Sequence, residues 1–93
     1  MDTIVVEPLA KGWAVRTDAV ENPMVFRTGR AAEDTARALA FKLAQAGKLV
    51  RLRLKLRNSS TEARFVCLPP LEPQAPPNLV SLPDVRQPEI ETA

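Results

Sequence analysis

From Val50 to Arg57 apolar and basic residues alternate without a break, Val50-Arg51-Leu52-Arg53-Leu54-Lys55-Leu56-Arg57. A period of two marks a strand with one buried and one solvated face. Residues 62–68 carry a looser version, and Asn58-Ser59-Ser60-Thr61 is a polar connection of the length that joins antiparallel strands. The pairing predicted for this hairpin sets Arg57 opposite Glu62 and Arg64 opposite Lys55. Leu52, Leu54 and Leu56 then share a face with Ala63, Phe65 and Cys67, so both strands bury their apolar sets together.

Toward the N-terminus, residues 3–7 are β-branched and end at Pro8. Leu9-Ala10-Lys11-Gly12 reads as a turn into a second strand over residues 13–17, where Trp13 and Val15 alternate with smaller or polar neighbours. A polar loop through Asp18, Asn22 and Pro23 leads to a third short strand over residues 24–27. The period then changes. Ala32, Ala36, Leu39, Leu43 and Ala46 recur every three or four residues, which predicts a helix over 29–46 with one apolar stripe. Thr28 has the chemistry of an N-cap, Glu33 and Asp34 lie toward the positive end of the helix dipole, and Gly47-Lys48 closes the element. The alanines let the helix approach a sheet closely. The expected fold is α+β, an antiparallel β-sheet in the order β-β-β-α-β-β with one α-helix packed on one face.

Seven of the nine prolines fall in the last 25 residues, each removing a backbone donor and biasing its predecessor to extended geometry. This divides the chain into a compact domain over residues 1–68 and a proline-rich, acidic tail over 69–93 that composition predicts to be disordered. Charge divides at the same place. The first part holds 12 Lys/Arg against 7 Asp/Glu, and the second holds Arg86 against Glu72, Asp84, Glu89 and Glu91.

Composition removes several chemistries. With no histidine, no tyrosine and the single cysteine Cys67, the chain lacks the residues for a Cys/His zinc site or a histidine-based nucleophile system. The three glycines are too far apart to form a phosphate-cradling loop. No catalytic residue, metal or cofactor is expected. One cysteine cannot cross-link the fold from within, which suits a reducing, cytoplasmic compartment. The first residues form no basic leader and no apolar run reaches 18 residues, so no membrane association is expected.

Gly12-Trp13-Ala14-Val15, then Phe26-Arg27-Thr28, then Ala32, Ala36, Leu39 and Ala40, resemble a family of small bacterial domains of unknown function, number 2188. In that family a hairpin with a Gly-Trp-x-Val core precedes an alanine-rich helix. The resemblance covers about residues 4–47 and implies a fold rather than an activity, with no functional residues to carry over. The basic strand, the hairpin partner after it and the proline-rich tail depart from the family pattern.

The candidate chemistry lies in the basic row. Arg51, Arg53, Lys55 and Arg57 on one strand face stand about 7 Å apart, and Arg64 broadens the row, a spacing suited to phosphate oxygens. The partner implied is nucleic acid or another polyanion, bound without base stacking because no aromatic shares the face. The ordinary alternative is a solvated face whose charges protect an edge strand. Phe41 lies about 160° from the centre of the helix stripe at 100° per residue. With Ala38 beside it, it offers a second surface for a protein partner or a homodimer, or for docking of the tail segment that holds Leu79 and Leu82. Two P-x-x-P matches in the tail are a consequence of its proline content. Cys67 and Trp13 are assigned to the core.

Overall fold

A computed structural model describes residues 2–18, 20–57 and 61–82. The elements are β1 (Asp2–Leu9), β2 (Gly12–Thr17), β3 (Val20–Phe26), α1 (Gly29–Gln45), β4 (Val50–Lys55), β5 (Glu62–Leu68) and β6 (Asn78–Leu82). They form one six-stranded sheet in the order β3-β2-β1-β4-β5-β6, with α1 on one face. The class is α+β as the periodicities predict, but the sheet is mixed. β1 and β4 pair in parallel at the centre, Asp2 beside Val50 and Val6 beside Leu54, while the other pairs are antiparallel. The cause is the helical connection. β3 runs parallel to β1, and a helix that returns the chain to the start of the sheet delivers β4 in that same direction.

Local chemistry sets the element ends. Thr28 is the N-cap of α1, its Oγ1 accepting from the amide of Ala31 at 3.1 Å. At the other end Gly47, at φ 93°, donates to the Ala44 carbonyl, and the Lys48 amide donates to the Leu43 carbonyl. This is a Schellman termination, which the left-handed glycine makes accessible. Glu33 and Asp34 lie beyond the first turn, and Glu33 instead pairs with Arg37 one turn later at 2.6 Å. The buried row of the helix is Ala32, Ala36, Ala40 and Ala44; Leu39 and Leu43 flank it and Ala46 is exposed. The stripe is thus turned slightly from the predicted one. Methyl side chains let the helix settle onto Ile4, Val6, Val15, Val50, Leu52 and Cys67.

The third strand begins at Val20 and includes Asn22 and Pro23, predicted as loop. Pro23 is tolerated because β3 is an edge strand, where a missing amide breaks no ladder on the open side. The β4–β5 pairing is shifted by two residues from the predicted one: Lys55 faces Glu62, Arg53 faces Arg64 and Leu52 faces Phe65. The assignment of faces survives this shift, since it is an even number of residues. β4 ends at Lys55, so Leu56 and Arg57 belong to the connection, whose residues 58–60 lie outside the described residues. Beyond Pro69 the chain adds β6 to the same sheet, Val80 beside Val66 and Leu79 beside Cys67. The intervening proline segment is tied to the helix end by Gln45, whose Nε2 donates to the Pro73 carbonyl at 3.3 Å. Residues 83–93 of the predicted tail lie outside the described residues.

Candidate functional site

One face of the sheet carries α1 and the aromatic residues Trp13, Phe26 and Phe65; the other carries no helix among the described residues. Strand alternation places Arg16, Arg51, Arg53, Lys55 and Arg64 on this open face, with the carboxylates Glu7 and Glu62 among them. Register aligns Arg16 of β2, Val5 of β1, Arg53 of β4, Arg64 of β5 and Leu82 of β6 in one row across five strands. At about 4.8 Å per strand, Arg16 and Arg64 stand about 14 Å apart in the backbone. β4 is central, so its basic alternation does not protect an edge.

The face is organised by shared carboxylates. Glu62 accepts from Arg53, Nη2 at 2.9 Å and Nε at 3.2 Å, and from Arg64 Nε at 3.2 Å. Its side chain is 13% exposed. The hydrogen bond from Arg53 outweighs the cost of its burial and, with the charges of Arg53 and Arg64, holds its carboxyl below the ordinary range. Glu7 is shared in the same way, bonded to Arg16 and lying 3.7 Å from Lys55 Nζ. Each carboxylate therefore serves two cations and leaves a surplus of one charge. Arg51 is exposed and has no ion-pair partner among the described residues.

Arg51, Arg53 and Arg64 border a groove of about 490 Å³ whose apolar lining is Leu49, Val66, Leu68 and Leu82. Guanidinium groups beside aliphatic side chains suit a ligand with anionic groups along an extended chain. Periodicity does not reveal this groove, because two of its sides come from β5 and β6, whose pairing no local signal encodes.

The structure brings together four of the predicted basic residues and separates the fifth. Arg57 turns away to the β1–β2 hairpin, where its guanidinium donates to the carbonyls of Leu9 and Gly12 at 2.8 Å each and stacks over the Trp13 ring at 4.9 Å. Its role is to lock the hairpin turn. Arg16, which no alternating basic pattern marks in the sequence, takes its place on the face; its position is set only by the β1–β2 register. Phe41 is 40% exposed on the outer side of α1, with Ala38 exposed nearby. Leu79 and Leu82 lie on β6, Leu79 against the core and Leu82 on the open face. Cys67 is buried beside Val50, and burial pushes its thiol up.

Among the described residues no helix is long and apolar enough to cross a membrane. No protein-family model matches the chain, and no curated protein or solved structure matches it.

Proposed function

We propose that this protein is a small non-catalytic binding module whose open sheet face contacts a polyanion, most simply nucleic acid, without reading its sequence. The observation that carries this reading is the charge arrangement across β1, β2, β4 and β5: five cations against two shared carboxylates, with Arg51, at the edge of the groove, lacking an ion-pair partner among the described residues. Three surplus positive charges on these strands, on a sheet face that no helix covers among the described residues, favour phosphate contacts. All four aromatics lie elsewhere, so base stacking is limited to guanidinium planes and sequence preference is weak. A cytoplasmic setting belongs to this reading, since the one thiol is free and buried.

The test is fluorescence anisotropy of labelled single-stranded and duplex oligonucleotides titrated with the full chain across a salt series. Three surplus charges predict a log–log slope of about −3 on duplex DNA. Arg51→Glu with Arg16→Glu abolishes this binding while the circular dichroism spectrum is retained. Absence of binding at 20 mM salt, about where the Debye length exceeds 20 Å, overturns the reading.

A second reading rests on Phe41, whose exposure beside Ala38 fits a protein partner or a second copy on the outer helix face. It predicts a concentration-dependent mass in sedimentation that Phe41→Ser removes.

A further inference from the structure

The groove on the open face changes character along the strand direction. Register sets three successive rows across β4, β5 and β6. Arg53, Arg64 and Leu82 form the first and Arg51, Val66 and Val80 the second; the third holds Leu68 and Asn78, with Leu49 in the groove wall beside them. Cations therefore fall from two to one to none over a path of about 14 Å, since side chains on one face repeat every two residues at about 3.4 Å each. Leu68 also belongs to the wall of a second concavity, about 640 Å³ in volume, that continues past it along Pro69, Leu71 and Pro76. Glu72 is the one charged residue in that second lining. The hollow is thus cationic at its start, apolar along its length and closed to a further anion at its far end.

Unclaimed donors lie at the cationic end. Glu62 accepts from Nε and Nη2 of Arg53 but only from Nε of Arg64. Both Nη groups of Arg64 and the whole guanidinium of Arg51 have no hydrogen-bond acceptor among the described residues.

We infer that this groove binds a single-chain anionic amphiphile, its carboxylate or phosphate head on Arg51, Arg53 and Arg64 and its alkyl chain along Val66 and Leu68 toward Leu71. Charge is complementary, because guanidinium forks pair with oxyanions. Lining is complementary too: small-molecule sites are mostly apolar with a few convergent polar groups, and this one has arginines at one end only. Length fits as well. An acyl chain spans half of a bilayer core, about 15 Å, close to the path from the first row to the third. A polynucleotide on the same axis fits less well, since its phosphates run out of cations after Arg51 and then meet Glu72. The site shares three arginines with the proposed polyanion surface but does not rest on that reading; its own evidence is the apolar end.

Nuclear magnetic resonance of the isotope-labelled full chain, titrated with decanoate below its micelle concentration, tests the inference. Binding predicts shifts at Arg51, Arg64, Val66, Leu68 and Leu82, and none at Val25 and Phe41, apolar residues exposed elsewhere. From octanoate to decanoate each added methylene tightens binding about two- to fourfold, as for a chain withdrawn from water. Acetate, which is a head without a chain, and decanol, a chain without the charge, leave the groove unshifted at concentrations where decanoate saturates it. Arg51→Gln with Arg64→Gln weakens decanoate binding about tenfold or more. Leu68→Ser weakens it about tenfold and leaves the affinity for an oligonucleotide unchanged.

Equal affinities for octanoate and decanoate, or shifts spread over Val25 and Phe41, overturn the site. Sedimentation with phosphatidylglycerol vesicles separates the sources of the head group. A chain that binds these vesicles while monomeric decanoate leaves the groove unshifted overturns the single-chain site and assigns the face to an anionic bilayer. Groove shifts that follow protein concentration in place of decanoate overturn it in favour of a second copy. Decanoate binding in a protein that binds no oligonucleotide keeps the amphiphile and removes the polyanion. Oligonucleotide binding without decanoate binding does the reverse.

Discussion

Arg53 and Arg64 stand directly opposite each other on β4 and β5, and the carboxylate of Glu62, one pair further along, holds both. Like charges in direct opposition destabilise a sheet, so the pair depends on that carboxylate. Glu62→Gln removes it. Stability is expected to fall by about 1 kcal/mol, as for an ion pair partly shielded from water. Oligonucleotide affinity is expected to rise, because two guanidiniums lose their internal competitor. Chemical denaturation paired with anisotropy reads the two opposite signs.

The same group sets an acid limb of stability. The folded-state pKa of Glu62 lies below its ordinary value of 4.5, so its contribution is fully present above about pH 4.5. As pH falls through the depressed value, the contribution is lost, because the unfolded chain takes up the proton more readily. Denaturation midpoints of the wild type and Glu62→Gln are expected to converge as pH is lowered from 6 to 3. A constant difference across that range would exclude the linkage.

Arg57 and Arg51 look alike in the alternating sequence and are expected to part in experiment. Arg57→Gln loses two hydrogen bonds to carbonyls and the stacking on Trp13, a destabilisation of about 1–3 kcal/mol. The salt slope of polyanion binding stays unchanged. Arg51→Gln changes stability by less than about 0.5 kcal/mol, as for an exposed side chain with no ion-pair partner among the described residues, and lowers the magnitude of the salt slope by about 0.9.

Gly29 lies at the first position of α1, where alanine is ordinarily the better helix former by up to about 1 kcal/mol. Here a Cβ would stand 2.9 Å from Cε2 of the Trp13 indole. Overpacking against a ring held by Arg57 costs about 1–3 kcal/mol, which exceeds the gain in propensity. Gly29→Ala is expected to lower the melting temperature and shift indole fluorescence. A rise in melting temperature would show that the ring has room to move.

Cys67 offers a native-state probe. Its thiol is fully buried and its pKa raised by that burial, so a reagent reaches it only when the structure around it opens. An opening free energy of about 3 kcal/mol slows alkylation about 100-fold relative to the unfolded chain. Modification at the rate of a free thiol would mean that β5 and β6 separate readily.

Near neighbours in the chain are enough to specify part of this fold. The alternation around Arg51 and Arg53 assigns each side chain to a face, Thr28 and Gly47 mark the helix ends, and the Leu9-Ala10-Lys11-Gly12 turn marks the first hairpin. Backbone sterics and side-chain period act within a few residues, and the chain carries that information locally. Long-range packing sets the remainder. The two-residue shift that faces Arg53 with Arg64 leaves every side chain on its predicted face, so no periodicity distinguishes it from the register that the sequence predicts. The parallel β1–β4 pair results from the path of α1 across the sheet, and β6 forms because β5 offers a free edge to a segment bounded by prolines. Arg57 leaves the basic row because the strand ends two residues early and the carbonyls of Leu9 and Gly12 lie within reach. Contacts between residues 45 or more apart in the chain are chosen by packing and hydrogen-bond satisfaction across the whole sheet, and only the folded molecule states them.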